Sequence, residues 1–191
     1  MLKRAILALS VAFGCAAHTD NVAAQDNNDW TLRNFTYTST GLGVKHKYRN
    51  RPVKIQILYS QSEDLPGNVA FVCANKQLMS RVSIQPGSIY GIIADNISNS
   101  YEKNTNSRRT FRPVMMIDGK KTDTTKWIEG REDRVVIPLE YSVTAELYNA
   151  VVTNQSVNLK RKKKFDMPLN LPQANEDFLA FGSECGIGKY K

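Results

Sequence analysis

The sequence predicts a mostly β protein: a single antiparallel β-sandwich domain with two short helices near the C-terminus and one disulfide. Three observations predict it. Short apolar runs, alternating or continuous and rich in Val, Ile, Tyr and Phe, recur between polar turn clusters from Trp30 to Pro138. Helical spacing of apolar residues replaces that pattern only near Ser142 and again after Asn175. An export leader implies an oxidising compartment, where Cys73 and Cys185 are the two cysteines left to pair.

The leader comes first in the chain. Lys3 and Arg4 precede the apolar run Ala5 to Ala17, and Val22-Ala23-Ala24 offers a small-residue cleavage site before Gln25. The run is too short to span a bilayer as a permanent helix. Residues 1–24 are therefore expected to be a cleaved signal peptide. Residues 25–191 are then one exported domain, periplasmic or secreted and not membrane-spanning. Cys15 leaves with the leader, and Ala12-Phe13-Gly14 before it is a poor lipidation signal. Export also takes ATP, NAD and chromosomal DNA off the easy list of partners.

Elements follow in order. Trp30 to Tyr37 and Val53 to Tyr59 carry period-two patterning and read as half-buried strands. Val69 to Ala74 is apolar on both parities, as an inner strand requires, and it places Cys73 in the core. Gln77 to Gln85 and Ile89 to Ala94 are expected to continue the series, with Pro86-Gly87 as the turn. Asp95 to Thr110 is polar and reads as a surface loop. Arg112 to Ile117 runs into Asp118-Gly119, a hairpin turn signal because both positions tolerate positive φ. Val135 to Ile137 is one more short strand.

Val143, Leu147, Ala150 and Val151 share a helical face, with Ser142 as the expected cap. Val157, Leu159, Phe165, Met167, Leu169 and Leu171 then share odd parity around Lys160 to Lys164. One strand of that length is unusual, so a hairpin is expected. A turn about Lys163 sets Leu159 opposite Met167 and Val157 opposite Leu169. A two-residue Lys162-Lys163 loop would instead set Leu159 opposite Asp166. After Pro172, Asn175 is placed to cap a last helix, with Glu176 and Asp177 in its first turn. Phe178, Phe181, Gly182 and Cys185 lie on its inner face.

The order of a short helix (Val143 to Val152), a hairpin rich in Leu, Lys and Phe, then Pro172 and the helix NEDFLAFGSEC from Asn175 to Cys185 has a counterpart. It resembles exported proteins of the invasion-associated locus B family. It is also similar to type VI secretion-associated periplasmic proteins that share that ending. The resemblance implies a small, non-catalytic β-sandwich that interacts with cell-envelope or host components. It carries over no functional residues.

Chemistry-bearing motifs are sparse. Once the leader is cut His46 stands alone, and two disulfide-bonded cysteines do not supply the roughly four ligands of a structural zinc site. No metal or cofactor is expected. Gly87-Ser88-Ile89-Tyr90-Gly91 and Gly182-Ser183-Glu184-Cys185-Gly186 miss the nucleophile-elbow spacing. The stretch from Gly182 to Lys189 misses that of a phosphate loop, and its glycines fit a helix end. Glu129, Glu132, Asp133 and Glu140 are interleaved with Gly130, Arg131 and Arg134, which suits a salt-bridged turn better than a pair of catalytic carboxylates. Met79, Met115, Met116 and Met167 fall in apolar strand patterns, as core residues do.

Charge is the remaining signal. The chain carries 26 Lys+Arg against 18 Asp+Glu, a net +8 that drops by one when Lys3, Arg4 and Asp20 leave. A basic exported protein meets anionic surfaces such as lipopolysaccharide. Lys160, Arg161, Lys162, Lys163 and Lys164 are the candidate binding residues, with Arg108, Arg109 and Arg112 as possible neighbours. The competing reading is an edge protected by lysines against aggregation. The sequence thus predicts a non-enzymatic accessory protein binding an envelope or secreted protein, or an anionic surface, and not nucleic acid. The alternatives are an inhibitor or immunity protein of an exported enzyme, and a periplasmic hydrolase using the acidic residues.

Overall fold

A computed structural model of the chain describes residues 29–38, 52–60, 65–90, 109–122, 125–129 and 134–187. The expected signal peptide, His46, most of the Asp95 to Thr110 loop, Glu132 and Asp133 lie outside the described residues.

Strands β1 (Trp30–Thr38), β2 (Pro52–Ser60), β3 (Val69–Ala74) and β4 (Gln77–Ser83) form an antiparallel meander. Sheet A continues from β4 through β9 (Val135–Pro138) and β8 (Trp127–Glu129) to β5 (Arg109–Phe111). Sheet B has the order β11 (Phe165–Pro168), β10 (Val157–Arg161), β6 (Val114–Ile117), β7 (Lys120–Lys121). Two helices complete the described fold, α1 (Tyr141–Val152) and α2 (Glu176–Cys185).

Side-chain parity divides sheet A into two faces. Leu58, Phe71, Cys73, Leu78 and Val82 join the main core. That core also takes Val143, Leu147 and Val151 of α1, Phe178 and Phe181 of α2, and Met115, Leu159 and Met167 of sheet B. The layer opposite sheet A is therefore composite, sheet B beside two helices. The alternate residues Ile55, Ile57, Tyr59, Ala70 and Val72 form a second cluster with Ile89. Strand β3 is thus buried on both faces, as its unbroken apolar sequence requires.

The C-terminal elements follow their sequence signals closely. The Asn175 side chain accepts the Phe178 amide at 2.8 Å, so it caps α2, and its Nδ2 donates to the Asp29 carboxylate at 2.9 Å. The same residue thereby ties the start of α2 to the start of β1, where Trp30 Nε1 also donates to the Pro172 carbonyl at 2.8 Å. Phe178, Phe181, Gly182 and Cys185 are the buried face of α2. Cys185 is bonded to Cys73, with Cα atoms 5.8 Å apart. Gly186, at φ 81°, ends the helix. Gly182 has another role: a Cβ there would lie 1.9 Å from the Tyr148 hydroxyl, which donates to the Phe178 carbonyl at 3.1 Å. Burial pushes the Tyr148 phenol up.

Asp118 and Gly119 take positive φ of 49° and 73° between β6 and β7, the backbone that hairpin turn demands. The Asp118 carboxylate accepts the Ser156 amide at 2.9 Å, the Ser156 hydroxyl at 3.1 Å and Gln155 Nε2 at 3.0 Å. Those donors, the Ser156 backbone first, hold its pKa below the ordinary carboxylate value.

Four sequence expectations are corrected. Ile89 and Tyr90 have helical backbone instead of starting a strand; Ile89 is buried under β2 and β3, while Tyr90 stacks on Tyr59 at 5.2 Å. Arg109 and Thr110 belong to β5 and not to the polar loop, because Glu129 and Ile128 supply their strand partners. Strand β4 stops at Ser83, whose hydroxyl turns back to the Gln85 carbonyl at 2.7 Å. Helix α1 starts at Tyr141 with Glu140 at its cap position and no side-chain cap bond, so Ser142 lies inside the first turn. The Leu139 amide is held by the Lys126 carbonyl at 3.1 Å, which turns the chain into the helix directly after Pro138.

Gly67 sits where the two layers cross. Its amide donates to the Ser83 carbonyl and its carbonyl accepts the Asn170 amide, both at 2.8 Å. At φ 94°, a Cβ on Gly67 would come within 2.4 Å of the Pro168 carbonyl oxygen. Gly67→Ala is expected to cost about 2–3 kcal/mol from left-handed strain plus backbone overlap. Urea denaturation checks it; a midpoint equal to that of the parent would mean the crossing can spread to admit a methyl group.

A cationic hairpin braced at its base

The candidate site is the β10–β11 hairpin. Leu159 stands opposite Met167 and Arg161 opposite Phe165, the register of an odd-length turn. Val157 accepts the Leu169 amide at 2.8 Å, which extends the same register outward. Parity decides this outcome: Leu159 and Met167 are both buried, and a shift by one residue would bring Asp166 into the core position. Lys162, Lys163 and Lys164 are left as the exposed turn. Lys163 sits at φ 60°, and the Lys164 amide donates to the Arg161 carbonyl at 2.9 Å.

The five cations divide into two kinds. Lys160 is ion-paired across the hairpin with Asp166. Arg161 Nη1 donates to Glu129 Oε2 at 2.5 Å, with both side chains less than a quarter exposed. The Arg161 guanidinium also lies 4.2 Å from the centre of the Phe111 ring, and Phe111 meets Phe165 edge-on at 6.3 Å. Arg161 therefore braces the hairpin against β5 and β8 through a charge-assisted bond and a cation–π contact. No carboxylate among the described residues pairs with Lys162, Lys163 or Lys164.

That packing brings β5 beside the hairpin. Arg109 is the direct cross-strand partner of Glu129, so Glu129 stands between Arg109 and Arg161. Arg112 is exposed just beyond β5, while Arg108 lies outside the described residues. No local pattern around Arg161 signals the brace. Glu129 is 32 residues from Arg161, and only the pairing of β5 with β8 places it and Phe111 under the hairpin.

The remaining candidates occupy structural positions. Glu129 is the partner of Arg161, and Glu140 is the cap residue of α1. No group of three or more His, Cys, Asp or Glu among the described residues is placed to hold a metal ion. Met115 and Met167 are buried in the main core, and Met79 is partly exposed on β4. No described helix is long and apolar enough to cross a membrane. Comparison with family models, with curated proteins and with solved structures found no match.

Proposed function

We propose that this protein is a non-enzymatic, exported accessory protein that binds a protein or an anionic partner of the cell envelope through the β10–β11 hairpin. The observation that carries the reading is the exposed triplet Lys162-Lys163-Lys164 on a hairpin whose base is braced by Arg161, Glu129 and Phe111. Adjacent ammonium groups repel one another, and an approaching anionic surface relieves that repulsion. The resemblance of the C-terminal half to invasion-associated locus B proteins points to the same class of role. Cys73–Cys185 is in keeping with an oxidising compartment.

Affinity capture from envelope extract tests the reading. The oxidised protein is expected to retain its partner at low salt and release most of it at high salt, because exposed charges are screened. The Lys162→Ser/Lys163→Ser/Lys164→Ser variant is expected to lose capture at either salt. A partner held by that variant through a high-salt wash would move the site elsewhere and favour an inhibitor-like interface.

A further inference from the structure

We infer that the partner of the hairpin is an anionic lipid bilayer surface, met by Lys162, Lys163 and Lys164 as they reach phospholipid headgroups. The inference rests on the hairpin being the binding element, as proposed above, and it narrows the partner by what the hairpin keeps for itself. Protein–protein interfaces are anchored by buried aromatic residues and Arg, and Lys is depleted in them. Within the hairpin, the one Arg and the one aromatic residue are already engaged in the fold, and Arg109 and Arg112, although exposed, belong to β5 and the residue after it and not to the hairpin tip. Arg161 is held by Glu129 and Phe111, Phe111 packs on Phe165, and Phe165 is only half-exposed. What projects is three successive lysines and no apolar anchor.

The shape of the tip agrees with its chemistry. A three-residue turn at the end of a braced hairpin is convex, so it offers no walls to enclose a small anion or a peptide side chain. Ammonium groups are compact charges on flexible stems and need no fixed acceptor geometry, whereas planar recognition of single phosphates or carboxylates favours Arg. Three such stems suit a broad, fluid field of negative headgroups. Exposed aromatic platforms for stacking bases are absent from the turn, which sets nucleic acid aside. Lys160 adds little, since Asp166 balances it.

Vesicle co-sedimentation tests the inference, using the oxidised protein in the form its cells accumulate. The probes are vesicles of phosphatidylcholine alone and of phosphatidylcholine mixed with phosphatidylglycerol. The protein is expected to bind only the mixed vesicles, and the Lys162→Ser/Lys163→Ser/Lys164→Ser variant to bind them about 100-fold more weakly. The charge-matched control Lys54→Ser/Lys120→Ser/Lys121→Ser removes exposed lysines from β2 and from β7. Strand β7 follows the turn at the far end of β6 from the hairpin tip. This control is expected to keep most of the binding. Equal losses in the two triple variants would overturn the inference, because net charge alone would then explain attachment. Indifference to phosphatidylglycerol would also overturn it. If vesicles are ignored while envelope capture still depends on the three lysines, the lipid assignment fails and the proposed function stands. If neither assay depends on them, both fail. Matching thermal unfolding of the variants excludes misfolding, since all six lysines are exposed.

Discussion

Breaking the Cys73–Cys185 bond is expected to remove about 4–5 kcal/mol of stability as an upper figure in the chain-entropy model, a large share of what holds a domain of this size. The two cysteines are 112 positions apart, so the bond constrains the unfolded chain from the end of β3 to the end of α2, leaving β1, β2 and the start of β3 outside the loop. It also has a local effect, joining the inner strand β3 to the last helix α2 at residues 7% and 2% exposed. Cys73→Ala/Cys185→Ala is the suitable variant, since Ser would bury a hydroxyl in an apolar site. Each single substitution should cost nearly as much as the pair, because either one abolishes the same bond. Urea midpoints for the oxidised protein, the reduced protein and the three variants check this. A double variant that unfolds with the oxidised parent would show that the compact core, and not the covalent loop, sets stability.

Most of the C-terminal half was legible because several local signals converged there. Odd parity from Val157 to Leu171 set the hairpin register, Asn175 with Glu176 and Asp177 marked a helix start, and helical spacing put Cys185 on the inner face. Each of these depends on residues within a few positions of one another. The failures have the opposite character. Arg109 to Phe111 and Trp127 to Glu129 are strands of three residues that exist through each other and through β9. Three residues are too few for a period to be visible. Ile89 and Tyr90 show the related ambiguity of a short apolar run, which suits a buried strand or a helical turn equally. At the candidate site the charge run itself was plain, and its division was not. Only long-range pairing reveals that Arg161 is a brace while Lys162 to Lys164 face solvent.

Phe71→Ala is expected to cost about 3–5 kcal/mol, the usual range for emptying a buried aromatic site. Phe71 is fully buried on the inward face of β3, at the meeting point of three other rings. Its centroid is 5.7 Å from Trp30, 5.6 Å from Tyr148 and 5.7 Å from Phe178, the last two edge-on. Those partners come from β1, α1 and α2, so one ring fills the space where sheet A meets both helices. Collapse into the gap is resisted from two sides. Tyr148 is stacked on Phe178 at 4.6 Å and bonded to its carbonyl, and Trp30 is held by the Pro172 carbonyl. Phe71→Leu keeps most of the volume and should cost much less. Combining Phe71→Ala with Phe178→Ala should cost less than the two single losses added, by about 0.5–1.5 kcal/mol for the shared ring contact. Chemical denaturation gives these differences, and near-ultraviolet dichroism reports whether Trp30 loses its fixed surroundings. Strict additivity would mean that the rings merely fill separate spaces. Coupling in that range would make the four-ring cluster the joint through which α1 and α2 are held to β1 and β3 of the sheet.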